Sequence, residues 1–104
     1  MATLTIVMPV YNAAPFVHEA VESILSQTFQ DFELWIIDDA STDDSLAILM
    51  SFKDLRIKLR KNPTHLGRLV TVNAVVPDIV SPYFTITDAD DVSHPKRLEK
   101  QINF

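Results

Sequence analysis

Residues 4–39 read LTIVMPVYNAAPFVHEAVESILSQTFQDFELWIIDD, and this stretch decides the fold. Leu4 to Val10 is a short apolar, β-branched run closed by Pro9, the pattern of a strand buried on both faces. Pro15 then suits a first helical turn. Phe16, Val17, Ala20, Val21, Ile24 and Leu25 recur at helical spacing with polar residues between them, which predicts a helix with one buried face. Phe32 to Ile37 is a second apolar run that stops abruptly at Asp38 and Asp39. Strand, helix and strand in this order predict a right-handed crossover and two parallel strands.

Outward from this unit the alternation continues. Ser41, Thr42, Asp43 and Asp44 are good helix-starting residues, and Leu46, Ile48, Leu49 and Phe52 give a second helix its apolar side. Arg56 to Arg60 alternates as a half-exposed third strand would, and Asn62 to Gly67 (NPTHLG) has the composition of a loop. Leu69 to Ala74 suits a helix that Pro77 interrupts. Tyr83 to Thr87 (YFTIT) is a fourth strand ending in Asp88-Ala89-Asp90-Asp91, and Ser93 and Pro95 open a last helix. The predicted class is α/β: one Rossmann-like, mainly parallel sheet with helices on both faces. Such sheets bind ligands at the carboxyl ends of their strands, where strand order reverses. Tyr11-Asn12, Asp38-Asp39 and Asp88 to Asp91 all fall at strand ends, so they are expected to converge on one crevice.

The chain has 104 residues, 47% of them hydrophobic and 22% charged, which suits one domain with one core and does not suit a disordered tail. Without cysteine it has no disulfides or thiolate metal sites, so any metal must bind through oxygen or histidine. A net charge of -5 argues against nucleic acid as a partner. No apolar run approaches the roughly 20 residues of a membrane span, and Met1 to Pro9 lacks the basic start of a signal peptide. The expected location is the cytoplasm, with any attachment to the inner face of the membrane made by other parts of a longer protein. Gly67 is the single glycine, so Asn, Asp, Ser and Pro must make most turns.

Asp88, Asp90 and Asp91 repel one another unless a cation or protons neutralise them. Hard carboxylate oxygens with spare coordination positions suit Mg2+ or Mn2+ holding a diphosphate. The plain alternative is a solvated acidic turn that caps a helix. Asp38 and Asp39 also favour a following helix, yet burial of two carboxylates at a strand end costs desolvation that capping alone does not justify. A hydrogen bond from a base or sugar would justify it. His18, His65 and His94 lie in separate elements and receive no catalytic role, and Trp35 and the helix aromatics are expected in the core.

The run TIVMPVYN to IIDDASTDDS, the N-P-x-x-L-G loop and TDADDVSHPKRLEKQINF together resemble the amino-terminal half of family 2 glycosyltransferases with the GT-A fold, over nearly the whole chain. The resemblance implies a site for a nucleotide sugar, usually a uridine diphosphate sugar, for transfer to a glycan, lipid or protein acceptor. By motif position Pro9, Val10 and Tyr11 line the base, Asp39 faces the base ring and Asp38 supports it. Asp88 approaches the ribose with Ala89 beside it, Asp90 holds Mn2+ or Mg2+, and Arg68 is a cationic contact to the nucleotide. The family commonly has Asn at His65, a glycine near Ala74 and Val75, and a glycine at Pro82, departures that weaken the expectation of a regular helix and turn over Leu69 to Pro82. Inverting transfer needs a general base. In the family it lies downstream of the aspartate cluster, beyond Phe104, so the chain is expected to be the donor-binding portion of a longer enzyme, with Glu99 only a solvent-facing charge near Lys96 and Lys100. The rival readings are a Mg2+-binding phospho-accepting domain, which normally needs a Lys on a later strand, and a non-catalytic α/β interaction module.

Overall fold

The computed structural model describes residues 3–90. Its elements are β1 (Leu4–Val10), α1 (Ala14–Leu25), β2 (Phe32–Asp38), α2 (Ser45–Met50), β3 (Ile57–Lys61), α3 (Arg68–Val75), a 3-10 turn (Val76–Asp78) and β4 (Tyr83–Ile86). The expected last helix, with Asp91, His94 and Glu99, lies outside the described residues. All strand pairs are parallel, in the order β3-β2-β1-β4. The chain therefore steps outward from β1 to β3 and then returns to the other side of β1. Strand order reverses between β1 and β4.

Two apolar layers cover the sheet. Leu4, Ile6, Met8 and Val10 of β1 join Phe32, Leu34 and Ile36 of β2 against Val17, Ala20, Val21 and Ile24 of α1 and Leu49 of α2. The alternate residues Val7 and Ile37 pack on the opposite face against Val72 and Val75 of α3, with Trp35 and Ile86 at the margin. Every residue of β1 is buried, as the unbroken apolar run predicts for a central strand. No helix among the described residues is long and apolar enough to cross a membrane.

The helix read over Leu69 to Ala74 is present at Arg68–Val75 despite the missing glycine, and Pro77 ends it in the 3-10 turn. Two expectations change. Phe16 is 53% exposed rather than part of the buried stripe, because the first turn of α1 overhangs the sheet's carboxyl edge. Capping of α2 by Ser41 to Asp44 is only partial: the N-cap residue Asp44 makes no side-chain capping bond, while Asp43 Oδ1 accepts from Ser45 N at 2.9 Å. Ser41, Asp43 and Ser45 also brace the entry to α1.

Candidate functional site

Pro9 marks where the sheet opens. The β1–β4 ladder ends at Val7↔Ile86, and the Val7 carbonyl accepts from Thr87 N at 2.9 Å. Alternation turns the backbone of Pro9 toward the same side, one step past the last pair, where a residue without an N–H loses no ladder bond. On the other side Asp39 N still donates to Val10 O at 2.7 Å. The resulting crevice, about 520 Å3, lies at the reversal of strand order. Pro9, Val10, Tyr11, Asp39, Arg68, Asp88, Ala89 and Asp90 all line it, together with Asn12, Ala13, Phe16, His65 and Gly67. Asp38 does not.

One wall is a brace between the loops after β1 and β2. Asn12 adopts a left-handed backbone at φ 49°. Its Oδ1 accepts from Thr42 N at 2.8 Å, Asp43 N at 3.3 Å and Thr42 Oγ1 at 3.3 Å. In return Ser41 Oγ accepts from Asn12 N at 3.0 Å, Ser45 Oγ from Ala13 N at 2.9 Å, and Asp43 Oδ2 from Ala14 N at 3.1 Å. The side chains ahead of α2 thus satisfy the amides leading into α1, and Asp43 serves both helices, its Oδ1 accepting from Ser45 N at 2.9 Å. Hydrogen bonding from Ser45 holds the Asp43 carboxyl below its ordinary range. We expect Asn12→Ala to cost about 2 kcal/mol, combining the left-handed penalty with lost acceptors, and Asn12→Gly to recover the backbone part. Chemical denaturation of the two variants tests this; equal losses would assign the whole effect to the amide oxygen.

The Asp39 carboxylate is the most heavily bonded group in the crevice. Its Oδ1 accepts from Asn62 Nδ2 and Leu66 N, both at 2.8 Å, and its Oδ2 from Gly67 N at 2.9 Å. His65 Nδ1 lies 2.9 Å from Oδ2. Burial pushes this carboxyl up, but the bonds from Asn62, Leu66 and Gly67 and the proximity of His65 outweigh it and hold it below its ordinary value. Gly67, at φ 90°, supplies the conformation that aims the loop amides at Asp39, and an added Cβ there would meet nothing, so the constraint is conformational. Asp38 is buried beneath the brace: Oδ2 accepts from Ser41 N at 3.2 Å, and Oδ1 has no hydrogen-bond partner among the described residues.

Across the crevice Arg68 Nε donates to Asp88 Oδ1 at 2.9 Å, which pairs the two side chains. Asp90 is exposed at the mouth. Among the described residues no three metal-capable side chains form a cluster. Among the lining residues, His65 and Phe16 carried no site role in the sequence. His65 stacks on Tyr11, ring centroids 3.9 Å apart and tilted 35°, and Phe16 presents its ring to the opening. A histidine within the only glycine-bearing loop was the available signal for the first; nothing in the helical periodicity marked the second.

Residues 5–104 match the model of a family described as "Glycosyl transferase family 2". An uncharacterized glycosyltransferase of Haemophilus influenzae is 40% identical over 106 residues, covering 100% of the chain and 42% of that protein. Another, from Methanocaldococcus jannaschii, is 37% identical over 105 residues, covering 97% of the chain and 36% of its own length. Among solved structures, Staphylococcus aureus TarS 1-349 in complex with UDP superposes with a TM-score of 0.88 at 24% identity, over 99% of this chain and 31% of that one. The mannosyltransferase PcManGT from Pyrobaculum calidifontis, in complex with GDP-Man and Mn2+, gives 0.77 at 26% identity over 85% of this chain and 27% of its own. The chain therefore spans well under half the length of the proteins it matches.

Proposed function

The chain belongs to glycosyl transferase family 2, and from that premise we propose that its crevice binds a nucleoside diphosphate sugar, with UDP as the carrier, together with Mn2+ or Mg2+. The observation that carries the reading is the gathering of Tyr11, Asp39, Arg68, Asp88 and Asp90 in one opening at the reversal of strand order. Tyr11 offers a ring face and Asp39 an ionised acceptor to a base, with Pro9 and Val10 as the floor. Arg68 and Asp88 stand where a ribose and diphosphate would follow, beside Ala89. Asp90, a hard oxygen donor at the mouth, fits a divalent ion whose remaining positions diphosphate and water would fill. Such an ion would neutralise phosphate charge that otherwise faces two carboxylates. Asp38 supports this floor from beneath.

Residues 1–104 act in this reading as one donor-binding unit of a glycosyltransferase, working with an acceptor that is a glycan, lipid or protein. The UDP complex of one structural relative and the GDP-Man and Mn2+ complex of another support it. No described residue is assigned as general base.

Calorimetric titration with UDP, GDP and ADP in Mn2+ tests the proposal, with UDP expected to bind most tightly. Asp90→Asn is expected to remove the affinity gained on adding Mn2+, on the order of tenfold, without weakening metal-free binding, since it relieves charge repulsion. Full retention of the Mn2+ effect would exclude Asp90 as ligand, and equal binding of the three nucleotides would exclude base reading by Asp39.

A further inference from the structure

A carboxylate offers about four lone-pair positions. Those of Asp39 face Asn62 Nδ2, Leu66 N, Gly67 N and His65 Nδ1. The two amides belong to the loop backbone, and Asn62 is anchored by donating also to Thr71 Oγ1 at 3.0 Å on α3. His65 alone is held by a rotatable side chain that is half exposed, at 51%. For Asp39 to accept a hydrogen bond from anything in the crevice, His65 is the donor that can yield. The imidazole makes two contacts at once: it stacks on Tyr11 at 3.9 Å and lies within hydrogen-bond reach of Asp39. A planar ring bearing an N–H, seated in that way, makes the contacts open to a nucleobase with a ring N–H.

We propose that His65 competes with the nucleobase for Asp39 and Tyr11, so that a base enters only as the imidazole swings aside. This rests on the nucleotide reading of the crevice. The charged groups around the ring are Asp39 beside it, the Arg68–Asp88 pair across the opening, and Asp90 at the mouth.

The test is titration of UDP and of inorganic pyrophosphate into the wild-type protein, His65→Ala and His65→Gln, in Mn2+ at pH 7. His65→Ala is expected to bind UDP about three- to tenfold more tightly than wild type. His65→Gln, which keeps a side-chain donor able to reach Asp39, should bind UDP more weakly than His65→Ala. Pyrophosphate, which has no base, should bind all three alike. Unchanged or weakened UDP binding by His65→Ala, with wild type binding UDP, would overturn the competition and leave the nucleotide reading standing. Failure of wild type to bind UDP at all would overturn both.

Discussion

Asp39→Asn is expected to destabilise the fold by about 3 kcal/mol and to lower its melting temperature by roughly 12–24 °C, with loss of nucleotide binding. The carboxylate is only 3% exposed and receives Asn62 Nδ2, Leu66 N and Gly67 N, with His65 at 2.9 Å. Asparagine keeps one acceptor oxygen. Its amide turns donors toward donors in either orientation, so at least one hydrogen bond to the former carboxylate is replaced by an unmatched pair. The pH dependence follows from the direction of the shift. Burial raises the Asp39 carboxyl, and the bonds from Asn62, Leu66 and Gly67 with the proximity of His65 lower it further than burial raises it. A folded-state value below the unfolded one gives stability that is present above the ordinary carboxylate range and lost as pH falls through the folded value. The gap between wild type and Asp39→Asn in urea unfolding should therefore be full at pH 7 and shrink below about pH 4. A gap that stays constant down to pH 3 would mean that Asp39 is not held ionised by these donors.

The strands were legible because buried parallel strands leave unbroken apolar runs. LTIVMPV and FELWII became β1 and β2 almost to the residue, while β3 lies one residue later than expected and β4 ends one residue earlier. Helix α1 was legible from its stripe, and the convergence of strand-end polar residues followed from the alternation of elements. What stayed hidden depends on how separate loops meet. Ser41, Asp43 and Ser45 carry the same capping chemistry toward α2 and toward the amides before α1, and only the left-handed turn at Asn12 brings the second set within their reach. His65 lies 26 positions from Asp39, and no periodicity links a loop residue to the strand end it closes over. Phe16 satisfies the apolar repeat of α1, but its turn has no sheet beneath it. Local pattern identifies which residues share a face, and it does not say where that face runs out.

Ile6→Ala is expected to show the opposite partition from Asp39→Asn: a large loss of stability with the crevice intact. Ile6 is fully buried on the central strand, in register with Leu34 of β2 and Thr85 of β4. It sits in the core cluster that includes Val17, Val21 and Ile24 of α1. Truncation removes the transfer energy of three carbons and leaves a void between sheet and helix that close packing cannot fill, about 3–4 kcal/mol. Against a total of roughly 5–15 kcal/mol for a domain of ordinary stability, this is a large fraction. Ile6→Val should cost only about 1 kcal/mol. Leu55→Ala, at a position 93% exposed, should change stability by no more than about 0.5 kcal/mol. The crevice residues are placed by backbone bonds at the far end of the strands, such as Asp39 N to Val10 O and Thr87 N to Val7 O, which a void at Ile6 does not touch. At a temperature where Ile6→Ala remains folded, its affinity for UDP should therefore stay within about twofold of wild type. Differential scanning calorimetry with and without UDP separates the two effects. A variant that melts early yet binds normally would show that core packing sets stability independently of the site, whereas parallel losses of stability and affinity would show that the sheet end yields with its middle.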